Sequence, residues 1–250
     1  MEEVSPRATT LDEAEVAKFA RLAHQWWDPN GAFAPLHKFN PVRLQFIRDC
    51  AAAQFGRDVR SVRPFAGLSL LDLGCGGGLV AEPMARLGFA VTGCDAGADA
   101  VRAAEAHARE SGLSLAYCVA TAEALAAEGD RFDVVLALEI VEHVADVDAF
   151  VQVASHLVKP GGLFVVATLN RTLKSFALAK IAAEYVLRWV PAGTHDWNRF
   201  IPPARLTAAL EANGLTATRR QGFAFDPLAW SWRLTSDLDV NYAIAAARPA

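Results

Sequence analysis

Residues Ser69–Gly88 read S-L-L-D-L-G-C-G-G-G-L-V-A-E-P-M-A-R-L-G. An apolar run closes with Asp72 and Leu73, glycines follow at 74, 76, 77 and 78, and a helical period opens at Leu79. Glycine takes positive φ freely and lets a ligand come close with no Cβ in the way. The helix behind such a loop turns its N-terminus toward whatever sits there. F-A-V-T-G-C-D then ends at Asp95, about twenty residues on, where a carboxylate can grip ribose hydroxyls. Strand, glycine loop, helix and acid together signal a nucleotide-like cofactor.

Outward from this unit the pattern alternates. Apolar runs at 68–73, 89–94, 114–119, 132–138 and 162–168 read as strands, with helical periods at 79–87, 97–111 and 146–158. Such alternation implies parallel strands with right-handed crossovers, a doubly wound α/β sheet. P-G-G at 160–162 reads as a turn into the fifth strand. Helices are expected near 172–189 and 203–213, and final strands near 215–224 and 239–247, joined by an irregular Gly222–Asp239 connection. Ahead of the sheet, helices over Leu11–Gln25 and Pro41–Phe55 flank W-W-D-P-N-G-A-F-A-P-L-H-K-F-N-P-V-R, residues Trp26–Arg43.

Composition narrows the function classes. A chain of 250 residues can bury a substantial core, and its 21% charged residues mark it as globular. The net charge of −4 comes without a long basic run, which argues against a nucleic-acid partner. Cys50, Cys75, Cys94 and Cys118 are scattered with no C-x-x-C pair, so neither zinc nor a disulfide framework is expected. M-E-E-V-S-P-R lacks an apolar signal region, and its acidity counts against a mitochondrial presequence. No uncharged apolar run approaches the ~20 residues that span a bilayer.

Two cofactors compete for the glycine loop. A dinucleotide frame from Gly74 would need glycine at 79, which is Leu, and a frame from Gly76 ends as G-x-G-x-x-A at Ala81, so NAD fits poorly. D-x-G-x-G-x-G over Asp72, Gly74, Gly76 and Gly78 fits better, and resembles the first motif of class I S-adenosylmethionine-dependent methyltransferases. V-N-Y-A-I-A-A-A-R at 240–248 resembles the antiparallel seventh strand of that class. A-T-A-E-A-L at 120–125 falls where such enzymes contact adenine, without naming a ligand.

A second constellation closes the fourth strand: A-L-E-I-V-E-H, with Glu139, Glu142 and His143. Ligands bind beyond the carboxyl ends of strands in open α/β sheets, so the cluster should face substrate. A helix starting after Leu138 would put all three on one face. Two carboxylates and an imidazole suit a divalent cation; His143 is equally a candidate general base, or a plain lining residue. No N-P-P-Y follows the fourth strand, which favours an oxygen over an amine acceptor.

Four stretches together resemble the ubiquinone-biosynthesis O-methyltransferase family: W-W-D-P-N-G-A-F-A-P-L-H-K-F-N-P-V-R, L-D-L-G-C-G-G-G, A-L-E-I-V-E-H, and T-L-N-R-T-L-K-S with A-E-Y-V-L-R-W-V-P-A-G-T-H-D-W. The resemblance spans roughly 12–247. It implies a Rossmann-like sheet of seven strands with an antiparallel last strand, an N-terminal helical cover and a helical insertion after strand 5. It implies methylation, by S-adenosylmethionine, of catechol hydroxyls on 2-polyprenyl-6-hydroxyphenol and 3-demethylubiquinol. Cofactor contacts would fall on Arg43, Gly74, Asp95 and Leu138, beside Asp72, Gly76 and Gly78. Eukaryotic members bind magnesium through E-x-x-E-H, which maps to Glu139, Glu142 and His143; catalysis would centre on His143 and Glu142. Alternatives are a methyltransferase of a soluble phenol and a non-catalytic scaffold for other ubiquinone-synthesis enzymes.

A polyprenyl acceptor dissolves in the bilayer, so a bacterial protein of this kind is expected in the cytoplasm, peripheral on the inner membrane. Residues 1–66 are expected to form the cover and 67–250 the transferase, folding as one unit, with 171–201 an amphipathic lid. In that lid Lys180, Glu184 and Arg188 recur every four residues among Phe176, Ile181, Tyr185 and Trp189. Such a helix can lie among lipid headgroups or simply pack on the sheet. His195 and Asp196 orient a hydroxyl or cap the next helix.

Overall fold

The computed structural model describes residues 10–178 and 196–250. Its centre is an eight-stranded sheet of order β3-β2-β1-β4-β5-β8-β6-β7. The strands are β1 Ser69–Leu73, β2 Ala90–Asp95, β3 Ala116–Val119, β4 Phe132–Leu138, β5 Val158–Leu169, β6 Thr216–Asp226, β7 Ser231–Thr235 and β8 Asn241–Ala247. The first five pair in parallel, and β8 runs antiparallel between β5 and β6. The doubly wound sheet with an antiparallel last strand is thus as expected, with one strand more. The eighth is β7, which pairs antiparallel with β6 from Gly222–Thr235 to Asp226–Ser231. It replaces the expected irregular connection, because S-W-R-L-T is only five residues long and interrupted by Arg233, and shows its strand character only when β6 offers an edge.

Helices α1 Glu13–Ala20, α2 Ala34–Phe55, α3 Ala81–Arg86, α4 Ala98–Glu110, α5 Ala122–Glu128, α6 Val147–His156, α7 Leu173–Ser175 and α8 Pro203–Ala212 surround the sheet. Side chains alternate across each strand, and here both faces are apolar, as parallel sheets covered on both sides require. Leu70, Val134 and Leu136 pack with Phe46, Ile47 and Met84 of α2 and α3. Leu71, Val135 and Ala137 pack with Leu125, Phe150 and Leu206 of α5, α6 and α8.

Two local expectations change, and one segment gains an element. α2 starts at Ala34 and runs through Pro41, which lacks the helical N–H. Such a proline costs about 3 kcal/mol, and burial of Phe39, Val42, Phe46 and Ile47, at about 1.5–3 kcal/mol each, offsets it. P-G-G at 160–162 lies inside β5, where the pairing jumps from Phe132–Val158 to Val134–Leu163. The 120–125 segment becomes the start of α5, capped by Thr121 Oγ1 accepting from the Ala124 N–H at 3.4 Å.

After α7 the chain continues in a helical turn to Leu178. The expected amphipathic repeat from Lys180 to Val190, and His195, lie outside the described residues; Asp196 caps the turn at Trp197–Arg199, accepting from the Asn198 N–H at 3.0 Å. Among the described residues no helix is long and apolar enough to cross a membrane.

Candidate active site and cofactor cleft

The strand order reverses between β1 and β4, and a crevice at that point is where open α/β sheets bind ligands. A cleft of about 1110 Å³ opens there, lined by Asp72, Gly74, Gly76, Asp95, Leu138 and Arg43 among others. Glu139, Glu142 and His143 border the same cleft.

The loop after β1 is held on two sides. From beneath, Asp95 accepts from the Gly76 N–H at 3.0 Å with Oδ2 and from the Gly97 N–H at 2.7 Å with Oδ1. From above, the Trp26 ring lies so close that a side chain at Gly76, whose φ is 53°, would collide with it. Trp26 stacks on Phe33 at 3.7 Å. Trp27 stacks on His107 at 3.4 Å and donates from Nε1 to the Gly77 carbonyl at 2.8 Å. His107 in turn donates from Nδ1 to the buried Glu82 at 2.7 Å. The tryptophan pair therefore clamps the glycine loop, a role that sequence spacing did not show.

Asp72, 3% exposed, leaves Oδ2 without a hydrogen-bond partner among the described residues. Burial lifts its pKa to about 7, with the Arg43 charge opposing and Asp95 adding to the rise. Arg43, 5% exposed, pairs through Nη1 with Glu139 and donates from Nη2 to Asn40 at 3.0 Å, leaving Nε buried without a partner among the described residues. Asn40 anchors this corner by donating to the Leu79 carbonyl at 2.6 Å. Trp26 Nε1 is a second buried donor without a partner among the described residues. Unpaired buried polar groups are costly. A carboxylate oxygen, a guanidinium N–H and an indole N–H left open around one cleft fit a zwitterionic ligand such as the methionine portion of S-adenosylmethionine.

The A-L-E-I-V-E-H segment departs from the expected helix. Glu139 takes a left-handed φ of 51°, and the chain then turns so that the His143 N–H reaches the Ile140 carbonyl at 2.8 Å. The three side chains consequently diverge: Glu139 goes to Arg43, Glu142 accepts from Thr168 Oγ1 at 2.7 Å, and His143 Nδ1 sits 2.8 Å from Glu15 Oε2. Burial raises the Glu142 pKa, the neighbouring His143 opposing. The expected magnesium site is thus not assembled, and among the described residues no group of three His, Cys, Asp or Glu side chains is placed to hold a metal.

Glu15 was not legible as a site residue. It reaches His143 because α1 lies across the mouth of the cleft, with Phe19 packing edge-on to the imidazole at 5.4 Å. α1 is fixed there by distant partners. Thr10 donates to Glu123 from its N–H at 2.9 Å and from Oγ1 at 2.6 Å, the Ala145 N–H donates to the Thr10 carbonyl at 2.8 Å, and Arg199 pairs with Asp12 at 2.8 Å.

Comparison with known proteins places this architecture. A methyltransferase-domain family profile matches residues 71–166. The fold is similar to that of magnesium protoporphyrin IX methyltransferase from Synechocystis PCC 6803 with bound SAH. That likeness has a TM-score of 0.63 at 19% identity, over 93% of this chain and 94% of that one. Fold, profile and cleft define an S-adenosylmethionine-dependent methyltransferase. The chain is 54% identical over 243 residues to the ubiquinone biosynthesis O-methyltransferase of Chelativorans sp. (strain BNC1), covering 97% of this chain and 96% of the relative. It is 55% identical over 241 residues to that of Sinorhizobium fredii (strain NBRC 101917 / NGR234), covering 96% and 97%. The chain belongs to the ubiquinone biosynthesis O-methyltransferase family.

Proposed function

We propose that the cleft transfers the methyl group of S-adenosylmethionine to a catechol hydroxyl of polyprenylated ubiquinone precursors, 2-polyprenyl-6-hydroxyphenol and 3-demethylubiquinol. The observation that carries this is the convergence, in one cleft, of the unpaired Asp72 oxygen with a His143 imidazole backed by Glu15.

The bound cofactor supplies an electrophilic methyl on a sulfonium. Asp72 Oδ2 would receive its ammonium, Arg43 Nε its carboxylate and Asp95 its ribose, with Gly74, Gly76 and Gly78 admitting the close approach and Leu138 forming an apolar wall. A phenol with a pKa near ~10 is a poor nucleophile until it loses its proton. With Nδ1 turned to Glu15, His143 presents Nε2 as the proton acceptor. The Glu15 carboxylate stabilises the imidazolium that results. Glu142, tied to Thr168, acts as a positioning group for the turn that carries His143.

Magnesium held by Glu139, Glu142 and His143 has no support from this geometry, so turnover is expected to persist in chelator. Labelled S-adenosylmethionine with a short-chain prenyl catechol, with and without chelator, is the test. No transfer under any metal condition sinks the reading; loss in chelator restored by Mg²⁺ would reinstate the metal. Transfer only to tail-less phenols would favour a soluble acceptor.

In this reading residues 1–66 act as cover, 67–250 as the transferase and 171–201 as a substrate lid. The protein works in the bacterial cytoplasm, peripheral on the inner membrane and beside other ubiquinone-synthesis enzymes. The exposed Leu173 and Leu178 near the cleft support membrane contact. Equal liposome flotation with and without lipid would count against it.

A further inference from the structure

The cleft is chemically lopsided. Its sheet end carries Asp72, Asp95, Glu139 and His143, whereas the side facing α2 and the β6–β7 hairpin is walled mainly by Phe39, Phe223, Phe225 and Trp232, with Arg233 also lining it. These rings form a continuous run: Phe39 lies 5.1 Å from Phe223 and 4.6 Å from Trp232, and Phe225 lies 5.6 Å from Trp232 and 5.3 Å from Trp230. The run ends at the hairpin tip, where Trp230 is 51% and Leu228 97% exposed. A volume of about 1110 Å³ exceeds the ~300–1,000 Å³ usual for small-molecule sites, which leaves room beyond a nucleoside cofactor and a catechol ring.

The tip itself is built with some care. Asp226 Oδ1 accepts from the Leu228 and Ala229 N–H groups at 2.9 and 3.0 Å. Trp230 follows at a φ of 50°, a left-handed conformation that bulky side chains rarely adopt. Lys38 Nζ lies 5.4 Å from the centre of the Trp230 ring, on the α2 side. Strained residues persist where the surroundings over-determine them, and cluster at ligand clamps. Here the conformation turns the indole onto Phe225, where it extends the aromatic wall out of the cleft.

We propose that the isoprenoid tail of the acceptor leaves the active site along this aromatic trough, past Phe39, Trp232 and Phe225, and reaches the surface at Trp230 and Leu228. The proposal rests on the O-methylation reading above and assigns the substrate's second half to a place. Only the tail segment inside the trough gains from apolar contact, so selectivity rises over the first prenyl units and then levels off.

The experiment compares kcat/KM of the full-length protein for a tail-less catechol and for the same catechol carrying two prenyl units. Wild type is expected to favour the prenylated acceptor at least tenfold, through KM. Trp230→Asp should remove most of that preference, leaving kcat on the prenylated acceptor, and kcat/KM on the tail-less one, within about twofold; Trp230→Leu, which keeps an apolar surface, should retain most of it. Leu228→Asp, at an exposed site where folding is not at stake, should weaken the prenylated acceptor alone. Absence of any preference in wild type, or equal losses on both acceptors in the variants, overturns the trough while leaving O-methylation standing. Failure of wild type to methylate either acceptor instead overturns the reading on which the trough depends.

Discussion

On the proposed reading, Asp72 sets the pH response of the cofactor end. Burial raises its pKa to about 7 in the free protein, Arg43 opposing, so below that pH its buried carboxyl is protonated. A cationic ammonium favours the ionised form, and binding below pH 7 must therefore expel a proton. Affinity for S-adenosylmethionine is expected to fall as pH drops through 7, approaching tenfold per pH unit. Calorimetric titration at pH 6 and 8 measures it; Asp72→Asn, which cannot ionise, should bind weakly at both and lose the pH dependence. At the other end, His143→Gln should lower kcat about 10²–10⁴-fold, the range of a lost general base, with the cofactor Kd little changed. Glu15 acts through His143, so Glu15→Gln should cost roughly tenfold in kcat while cofactor affinity holds. Equal activity of both variants and wild type would remove His143 from the chemistry.

The loop after β1 depends as much on the cover as on its own glycines. A methyl at Gly76 meets both a left-handed φ and the Trp26 ring, so Gly76→Ala should destabilise by more than the ~1–2 kcal/mol of the backbone penalty alone. Trp26→Ala removes the ring atoms in the way, and in that background the same substitution should approach the backbone penalty. Urea unfolding of the four proteins gives a coupling of about 1 kcal/mol or more; strict additivity would show that Trp26 does not rest on the loop in solution. The turn after β4 shows why element-level reading stopped short. E-I-V-E-H has helical spacing, but the left-handed backbone at Glu139 belongs to a residue already drawn to Arg43 on α2, and no local pattern records that pull.

Across the molecule, the segment from Thr10 to Arg43 and the sheet line one cleft between them. Trp27 on Gly77, Thr10 on Glu123 and Ala145, and Asp12 on Arg199 tie residues 10–27 to four separate parts of the transferase. Open polar groups that a ligand satisfies make binding a source of stability, and S-adenosylmethionine at 100 times its Kd should add about 2.7 kcal/mol. A thermal melt with and without cofactor reads this as a rise in Tm. Truncation before Ala34 should abolish most of that rise, since Trp26 and α1 leave with it. An undiminished shift in the truncated protein would show that the cover takes no part in holding the cofactor.

The sequence by itself determined the sheet apart from β7, the glycine loop, Asp72 and Asp95 at their strand ends, and the family. Each of these is written in short-range periodicity or in the fixed offset between a strand and the next. Tertiary structure decided which groups meet. Glu15 against His143, Trp26 over Gly76, Arg43 shared with Glu139, and the divergence of the E-x-x-E-H side chains all join residues far apart in the chain or bend a local pattern toward a distant partner. A strand or helix forms because neighbours agree on a period; a contact across a cleft forms because two packed surfaces leave a buried polar atom one place to go.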